Sequence, residues 1–262
     1  MRVAIVTSRR RGLAGLSVPV LSSEPNMELA AVIFNADRGT GGRLKRKFRK
    51  AMKIGPRGAV NGVRIRPWFS SEVDERLAVP DIDAACQDNG VTFVQTPRLN
   101  GPETIAALDS VGADLALSLG NPYIAPAVFQ TPRKGMLNVH HELLPGYAGA
   151  QSVIWQIHDG HTTTGYTIHR IDAGIDTGEI LLTEALPIRF GRDLHDTVVR
   201  TLCDVLPASA RGLARVLSDF SRYAEAARAQ RAARRFTTPT FHHFRQMEAM
   251  HDRLAAGAGQ SD

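Results

Sequence analysis

The sequence predicts an α/β fold: a doubly wound, mostly parallel sheet with a helical C-terminal appendage. Short, continuous, β-branched apolar runs recur, and they alternate with helix-like stretches. In addition, 43% of the 262 residues are hydrophobic, enough for a sizeable core and too many for a disordered chain. Residues 2–7 (Arg-Val-Ala-Ile-Val-Thr) and 28–35 read as buried strands, and 91–96 and 113–119 as two more. Helices are expected over 13–22 and 102–111, where Pro102 suits a first helical turn. Ligands on such sheets sit beyond the carboxyl ends of the strands.

Residues 43–53 place Leu44, Phe48 and Met52 four apart among lysines and arginines, the pattern of a basic amphipathic helix. Residues 54–70, rich in Gly, Pro and Arg, read as irregular, so 43–70 is expected to be a basic insertion. Residues 165–171 and 179–188 read as an antiparallel pair joined through the Gly174–Gly178 turn. Helices are expected over 194–217 and 222–235. The domain reading is a catalytic unit over 1–205, a helical appendage over 206–253 and a disordered tail over 254–262.

Charge is unevenly placed. Residues 1–70 hold 15 Lys and Arg against 3 Asp and Glu, 71–208 hold 8 against 18, and 209–245 hold 8 against 2. Basic ends attract phosphate, although a solvated helix face has the same composition. The turn Thr7-Ser8-Arg9-Arg10-Arg11-Gly12 is neither a dinucleotide fingerprint nor a P-loop. Gly39-Thr40-Gly41-Gly42 is not closed by Gly-Lys-Ser/Thr, so standard nicotinamide enzymes and NTPases are disfavoured. No apolar run approaches the ~18 residues of a membrane span, and Val3–Val6 is too short for a signal peptide. Cys86 and Cys203 form no ligand or redox spacing, so a cytoplasmic protein is the default expectation.

The chemistry concentrates in 138–178. On a strand, Asn138 and His140 point to the same side, so an amide and an imidazole can face one pocket. Asp176 stands at a sharp, glycine-flanked bend. A carboxylate near an imidazole keeps it protonated and oriented. Amide, imidazolium and carboxylate together suit stabilising an oxyanion while an amine loses its proton. No Ser or Cys stands in an elbow motif. A metal site from His140, His141, His158, His161 and His169 is disfavoured, because no His-x-x-x-His helix or Cys partner accompanies them. His169 reads as a pocket or core histidine, and Trp155 as a packed helix residue.

Asn138-x-His140, then Leu143-Leu144-Pro145, then Asp176 in its turn resemble the folate-dependent formyltransferases. These include the glycinamide ribonucleotide, methionyl-tRNA and nucleotide-sugar enzymes. The resemblance covers roughly 1–205 and is strongest over 113–190, with Gly165–His169 matching the strand before the acidic turn. It implies a formyltransferase-type Rossmann-like fold, N10-formyltetrahydrofolate as co-substrate and no metal. It also implies Asn138, His140 and Asp176 as the catalytic trio. Asn121, Pro122, Tyr123, Ile124, Asp172, Ala173 and Gly174 are then expected at the folate.

The acceptor is expected to meet Arg9, Arg10, Arg11, His141, Glu142 and Gln151. His141-Glu142 stand where the family often has Pro-Ser, and Ala148 where it often has Arg. No Gly-Ser-Asn loop occurs at 8–12, which counts against a purine role. Residues 206–262 read helical, so the β-barrel that the tRNA enzymes add is expected to be missing. The expected acceptor is a small phosphate-bearing amine, an amino sugar on a nucleotide above others. Formyltetrahydrofolate hydrolysis, a methionyl-tRNA acceptor and a non-catalytic RNA- or partner-binding role are the rivals. Nucleic acid is disfavoured as a partner, and a homo-oligomer is left open.

Overall fold

The computed structural model describes residues 1–36, 43–149, 152–230 and 234–258, with side chains of 43–53 and 258 excepted. In chain order the strands are β1 (Arg2–Thr7), β2 (Glu28–Asn35), β3 (Thr92–Thr96), β4 (Leu115–Ser118), β5 (Met136–His140), β6 (Ala148–Gly149), β7 (Thr163–Arg170), β8 (Ile180–Pro187) and β9 (Arg235–Phe236). The helices are α1 (Leu13–Ser22), α2 (Arg43–Arg64), α3 (Ser71–Arg76), α4 (Ile82–Asp88), α5 (Pro102–Ser110), α6 (Pro126–Phe129), α7 (Ile154–His158), α8 (Leu194–Ser218), α9 (Phe220–Glu225) and α10 (Phe241–Ala258). A 3-10 turn spans Pro67–Phe69.

Seven strands form one sheet in the order β3-β2-β1-β4-β5-β7-β8. β1, β2, β3, β4 and β5 run parallel, and β7 and β8 add an antiparallel edge. Alternation along β1 explains the helical layers. Val3 and Ile5 join a core with Leu13 and Val18 of α1 and Val198 and Leu202 of α8. Ala4 and Val6 face the other way, with Leu108 of α5 and Val128 of α6. Successive strand residues point to opposite faces, so a strand buried on both must be apolar throughout. α8 crosses β7 closely enough that a Cβ on Gly212 would lie 2.2 Å from the Tyr166 hydroxyl. No helix among the described residues is long and apolar enough to cross a membrane.

The structure differs from the sequence expectations in four places. α2 extends beyond residue 53, so 54–70 is largely helical. Gly55 breaks it at φ 74°, ψ 165°, and Pro56 starts a second helical piece. The residue before proline is driven out of helical geometry, while proline itself suits a first turn. The helix expected over 222–235 ends at Glu225. Beyond it, Arg228 and Ile180 exchange backbone hydrogen bonds of 2.8 and 3.0 Å, and Gln230 reaches the Gly178 carbonyl at 2.6 Å. Pairing with the sheet edge overrides helix propensity there. The boundary expected at 205/206 falls inside α8, so no linker separates the appendage. Finally, α10 continues to Ala258, into the tail expected from 254. Residues 259–262, the Gly39–Gly42 cluster and Gln151 lie outside the described residues.

Candidate active site

β5 delivers Asn138 and His140 on one side of the strand, at the carboxyl edge of the parallel sheet. Antiparallel pairing with β7 sets His169 directly opposite Asn138 and Thr167 opposite His140. The Thr167 hydroxyl, donating to the Glu142 carbonyl at 2.7 Å and accepting from the Leu144 N–H at 3.1 Å, pins the chain leaving β5.

Asp176 is held in the left-handed region at φ 55°. A non-glycine residue there costs about 1–2 kcal/mol. Asp172 stabilises the turn by accepting from the Gly174 N–H at 3.0 Å and the Thr177 hydroxyl at 2.7 Å. The bend sends the Asp176 carboxylate between two imidazoles. Its Oδ2 lies 3.8 Å from His140 Nδ1 and its Oδ1 3.8 Å from His169 Nε2. Gly149 donates its N–H to Oδ2 at 3.2 Å.

The hydrogen bonds assign the tautomers. His140 Nε2 donates to the Tyr147 carbonyl at 2.8 Å, so Nδ1 faces Asp176. A proton added at Nδ1 would make an imidazolium beside a carboxylate. His169 Nδ1 donates to the Arg170 carbonyl at 2.8 Å, which leaves Nε2 to accept from Asn138 Nδ2 at 3.2 Å. Burial lowers the His169 pKa, in keeping with that neutral form. His169 therefore orients the Asn138 amide, whose second N–H has no other protein partner among the described residues.

These groups form the floor of a cavity of about 410 Å³. Asn121, Pro122, Tyr123, Ile124, Asp172 and Gly174 line it, while Ala173 lies in the turn and outside the wall. Tyr123 and Ile175 leave about half their surface exposed, at 54% and 51%, so apolar area is available to a flat ligand. The Asn121 side chain is already engaged: it donates to the Val6 carbonyl at 2.7 Å and accepts from Ser8 at 2.8 Å, tying β4 to β1.

The expected acceptor residues divide. Arg9 lines this cavity, with its guanidinium 2.8 Å from Asp74. Arg10 turns away: it grips Asp81 with two nitrogens, stacks over Phe34, and lines neither this cavity nor its neighbour. Arg11 lines only the neighbouring cavity. His141 lines both, and burial, then His140 and Arg9, push its pKa down to about 4. Glu142 is 3% exposed and lines neither. Burial raises its pKa well above the usual carboxylate range, opposed by the Val153 N–H.

Sequence reasoning passed over Tyr147, Gly149 and the orienting role of His169. Only the β5–β7 register, with His169 opposite Asn138, could have marked the last. The loop carrying Tyr147 and Gly149 is propped from the C-terminal part. β6 pairs with β9, the Tyr147 ring stacks on Phe236 at 5.1 Å, and the Tyr147 hydroxyl donates to Asp159, which Arg234 also binds. Among the described residues, no group of three His, Cys, Asp or Glu could hold a metal ion.

Residues 2–206 match the formyl transferase family. Similar curated proteins include the methionyl-tRNA formyltransferase of Deinococcus radiodurans, 42% identical over 116 residues, covering 44% of this chain and 36% of that protein. Another is that of Trichlorobacter lovleyi, 33% identical over 143 residues, covering 53% and 45%. The chain thus spans less than half the length of these relatives. Among solved structures, glycinamide ribonucleotide transformylase 1 from Symbiobacterium toebii superposes with a TM-score of 0.57 at 17% identity, covering 88% of this chain and 94% of that one. A sugar N-formyltransferase from Shewanella sp FDAARGOS_354 gives 0.53 at 13%, covering 90% and 76%. At these identities the likeness is one of fold.

Proposed function

Since the chain belongs to the formyl transferase family, we propose that it moves a formyl group from N10-formyltetrahydrofolate to the primary amine of a small anionic acceptor. The observation that carries this is the set of Asn138, His140 and Asp176, with His169 behind it, on one cavity floor. The apolar faces of Tyr123, Ile124 and Ile175 suit the folate ring. The Asn138 N–H not engaged by His169 stabilises the oxygen that becomes negative as the amine attacks the formyl carbon, with His140 beside it. Asp176, facing His140 Nδ1, takes the proton the amine loses. The new bond joins the amine nitrogen to the formyl carbon, the bond to folate N10 breaks, and N10 receives a proton in return.

A nucleotide-linked amino sugar is the member of this acceptor class that the arginine-rich first turn favours. A second reading, methionyl-tRNA, is favoured by the relatives of that name and by the basic run Arg43–Lys53. Full-length protein is incubated with the formyl donor and a panel of amines. Formylated amine with stoichiometric tetrahydrofolate is expected. Formate release without acceptor would instead make it a hydrolase, and absence of folate binding would favour the non-catalytic reading. Transfer to methionyl-tRNA that weakens steeply with salt would favour the second reading.

A further inference from the structure

The end of β5 stands between two cavities, and the alternation of a strand sorts its side chains between them. Asn138 and His140 line only the candidate active site, whereas Val139 and His141 line both it and a second cavity beside the turn after β1. The other imidazoles of the site are engaged by the protein. His140 bonds the Tyr147 carbonyl, and His169 bonds the Arg170 carbonyl and Asn138. His141 is not engaged: its Nε2 is buried without a partner, and its ring makes no hydrogen bond or ion pair with any described residue. A buried polar atom without a partner is costly, and a hydrogen bond from a ligand relieves that cost. Burial, then His140 and Arg9, keep the ring neutral at neutral pH, so one of its nitrogens is an acceptor. A proline, frequent in the family at this position, has no such atom. The same cavity holds a second acceptor, the Asp176 carboxylate. An attacking primary amine has two N–H groups and one lone pair in a tetrahedral arrangement. Acceptors that hold both N–H groups leave the lone pair a single direction, and a fixed direction of attack lowers the barrier.

We propose that His141 is a further catalytic residue: its imidazole accepts a hydrogen bond from one N–H of the amine while Asp176 holds the other, so that the lone pair points at the formyl carbon beside Asn138. The proposal rests on the formyl-transfer reading and adds to it a selection of primary over secondary amines. His141 takes no proton. The proton that the amine loses goes to Asp176, and N10 receives one as its bond to the formyl carbon breaks. A secondary amine has a single N–H, which Asp176 needs, and so has nothing to offer His141.

The test uses the full chain with the formyl donor and three amines: a nucleotide-linked amino sugar, a free amino sugar and methionyl-tRNA. The amine formylated fastest is then compared with its N-methyl derivative. In His141→Leu, kcat/KM for the primary amine should fall by about tenfold, the worth of one well-formed hydrogen bond, and that for the N-methyl amine by less than about twofold. The better of His141→Asn and His141→Gln, whose amide oxygens also accept, should regain at least about threefold over His141→Leu. His141→Phe takes the place of His141→Leu if the latter shows no cooperative melting, and the amide variants decide alone if the N-methyl amine is not turned over. An equal loss for both amines, a primary-amine value within about twofold of the unsubstituted chain, or amides no better than leucine overturns the role of His141 while leaving formyl transfer standing. An unsubstituted chain that formylates none of the three amines overturns both.

Discussion

The two cavities share a wall and differ in what builds the rest. The candidate active site is made from strand ends and the 172–176 turn, and there the three polar groups of the strand ends and turn are tied to others, while the buried His141 Nε2 has no partner. Asn138 is held by His169, Asp176 by Gly149, and Asn121 by Val6 and Ser8. The second is walled by the turn after β1, by Gly62, Arg66 and Phe69 and by Thr238, and in it Asp74 Oδ1 has no hydrogen-bond partner. Preorganised groups on rigid elements serve chemistry that must be the same for every acceptor. Substitutions in the first cavity should therefore change kcat, and those in the second KM.

The largest effect is expected from Asn138→Ala, His140→Ala and Asp176→Ala, each lowering kcat by about 10²-fold or more. Melting curves should keep a cooperative transition. A loss confined to acceptor KM in any of the three would break the comparison. Next, a folate analogue at a hundred times its Kd should stabilise the chain by about 2.7 kcal/mol, read as a rise in Tm.

The shared wall makes a pH prediction. His141 has its pKa lowered from 6.5 to about 4 in the folded chain. Its stabilising contribution is present above 6.5 and is lost as pH falls toward 4, with a slope approaching ~1.4 kcal/mol per pH unit. Glu142 is raised, so its contribution is present below the usual carboxylate range and is lost as pH rises. In stability measured against pH, His141→Asn should flatten the acid side and Glu142→Gln the alkaline side. An unchanged acid limb in His141→Asn would show that the imidazole is not kept neutral by its surroundings.

Tyr147→Phe removes one hydrogen bond to Asp159, costing about 1 kcal/mol, and loosens the carbonyl that holds His140. A severalfold fall in kcat at unchanged KM is expected, and a pure loss of Tm without it would make the contact merely structural. The smallest effect belongs to Arg10→Ala. Its partly exposed pair with Asp81 is worth about 0–1 kcal/mol, and because it lines neither cavity, acceptor KM should stay within about twofold. A large KM change would show that Arg10 acts on the acceptor despite lining neither cavity.

Much of the sheet was readable because its signal is local. β1 and β2 were expected at 2–7 and 28–35 and form there, since a strand buried on both faces must be apolar at every position. Asn138, His140 and Asp176 were readable as residue types at a spacing, and the fold brings them to one cavity. The helix expected over 222–235 stops at Glu225, because pairing of Arg228 with Ile180 outweighs Ala and Arg propensity; residues 231–233 lie outside the described residues. Arg9, Arg10 and Arg11 looked equivalent in the chain. Asp74 and Asp81, over sixty residues away, pair directly with the first two, while Arg11 acts on Asp74 only at longer range.

By itself, then, the sequence determined the doubly wound sheet and the motifs of the formyl transferase family, and it offered Asn138, His140 and Asp176 as a set, which the fold brings to one cavity. Each depends on neighbours within one strand or turn. Tertiary structure alone decided that His169 orients Asn138, that Phe236 props the Tyr147 loop, that Glu142 is buried, and that a second cavity lies beside the turn after β1. Those outcomes depend on which distant groups meet, and a carboxylate or an imidazole carries no local mark of the partner that folding will give it.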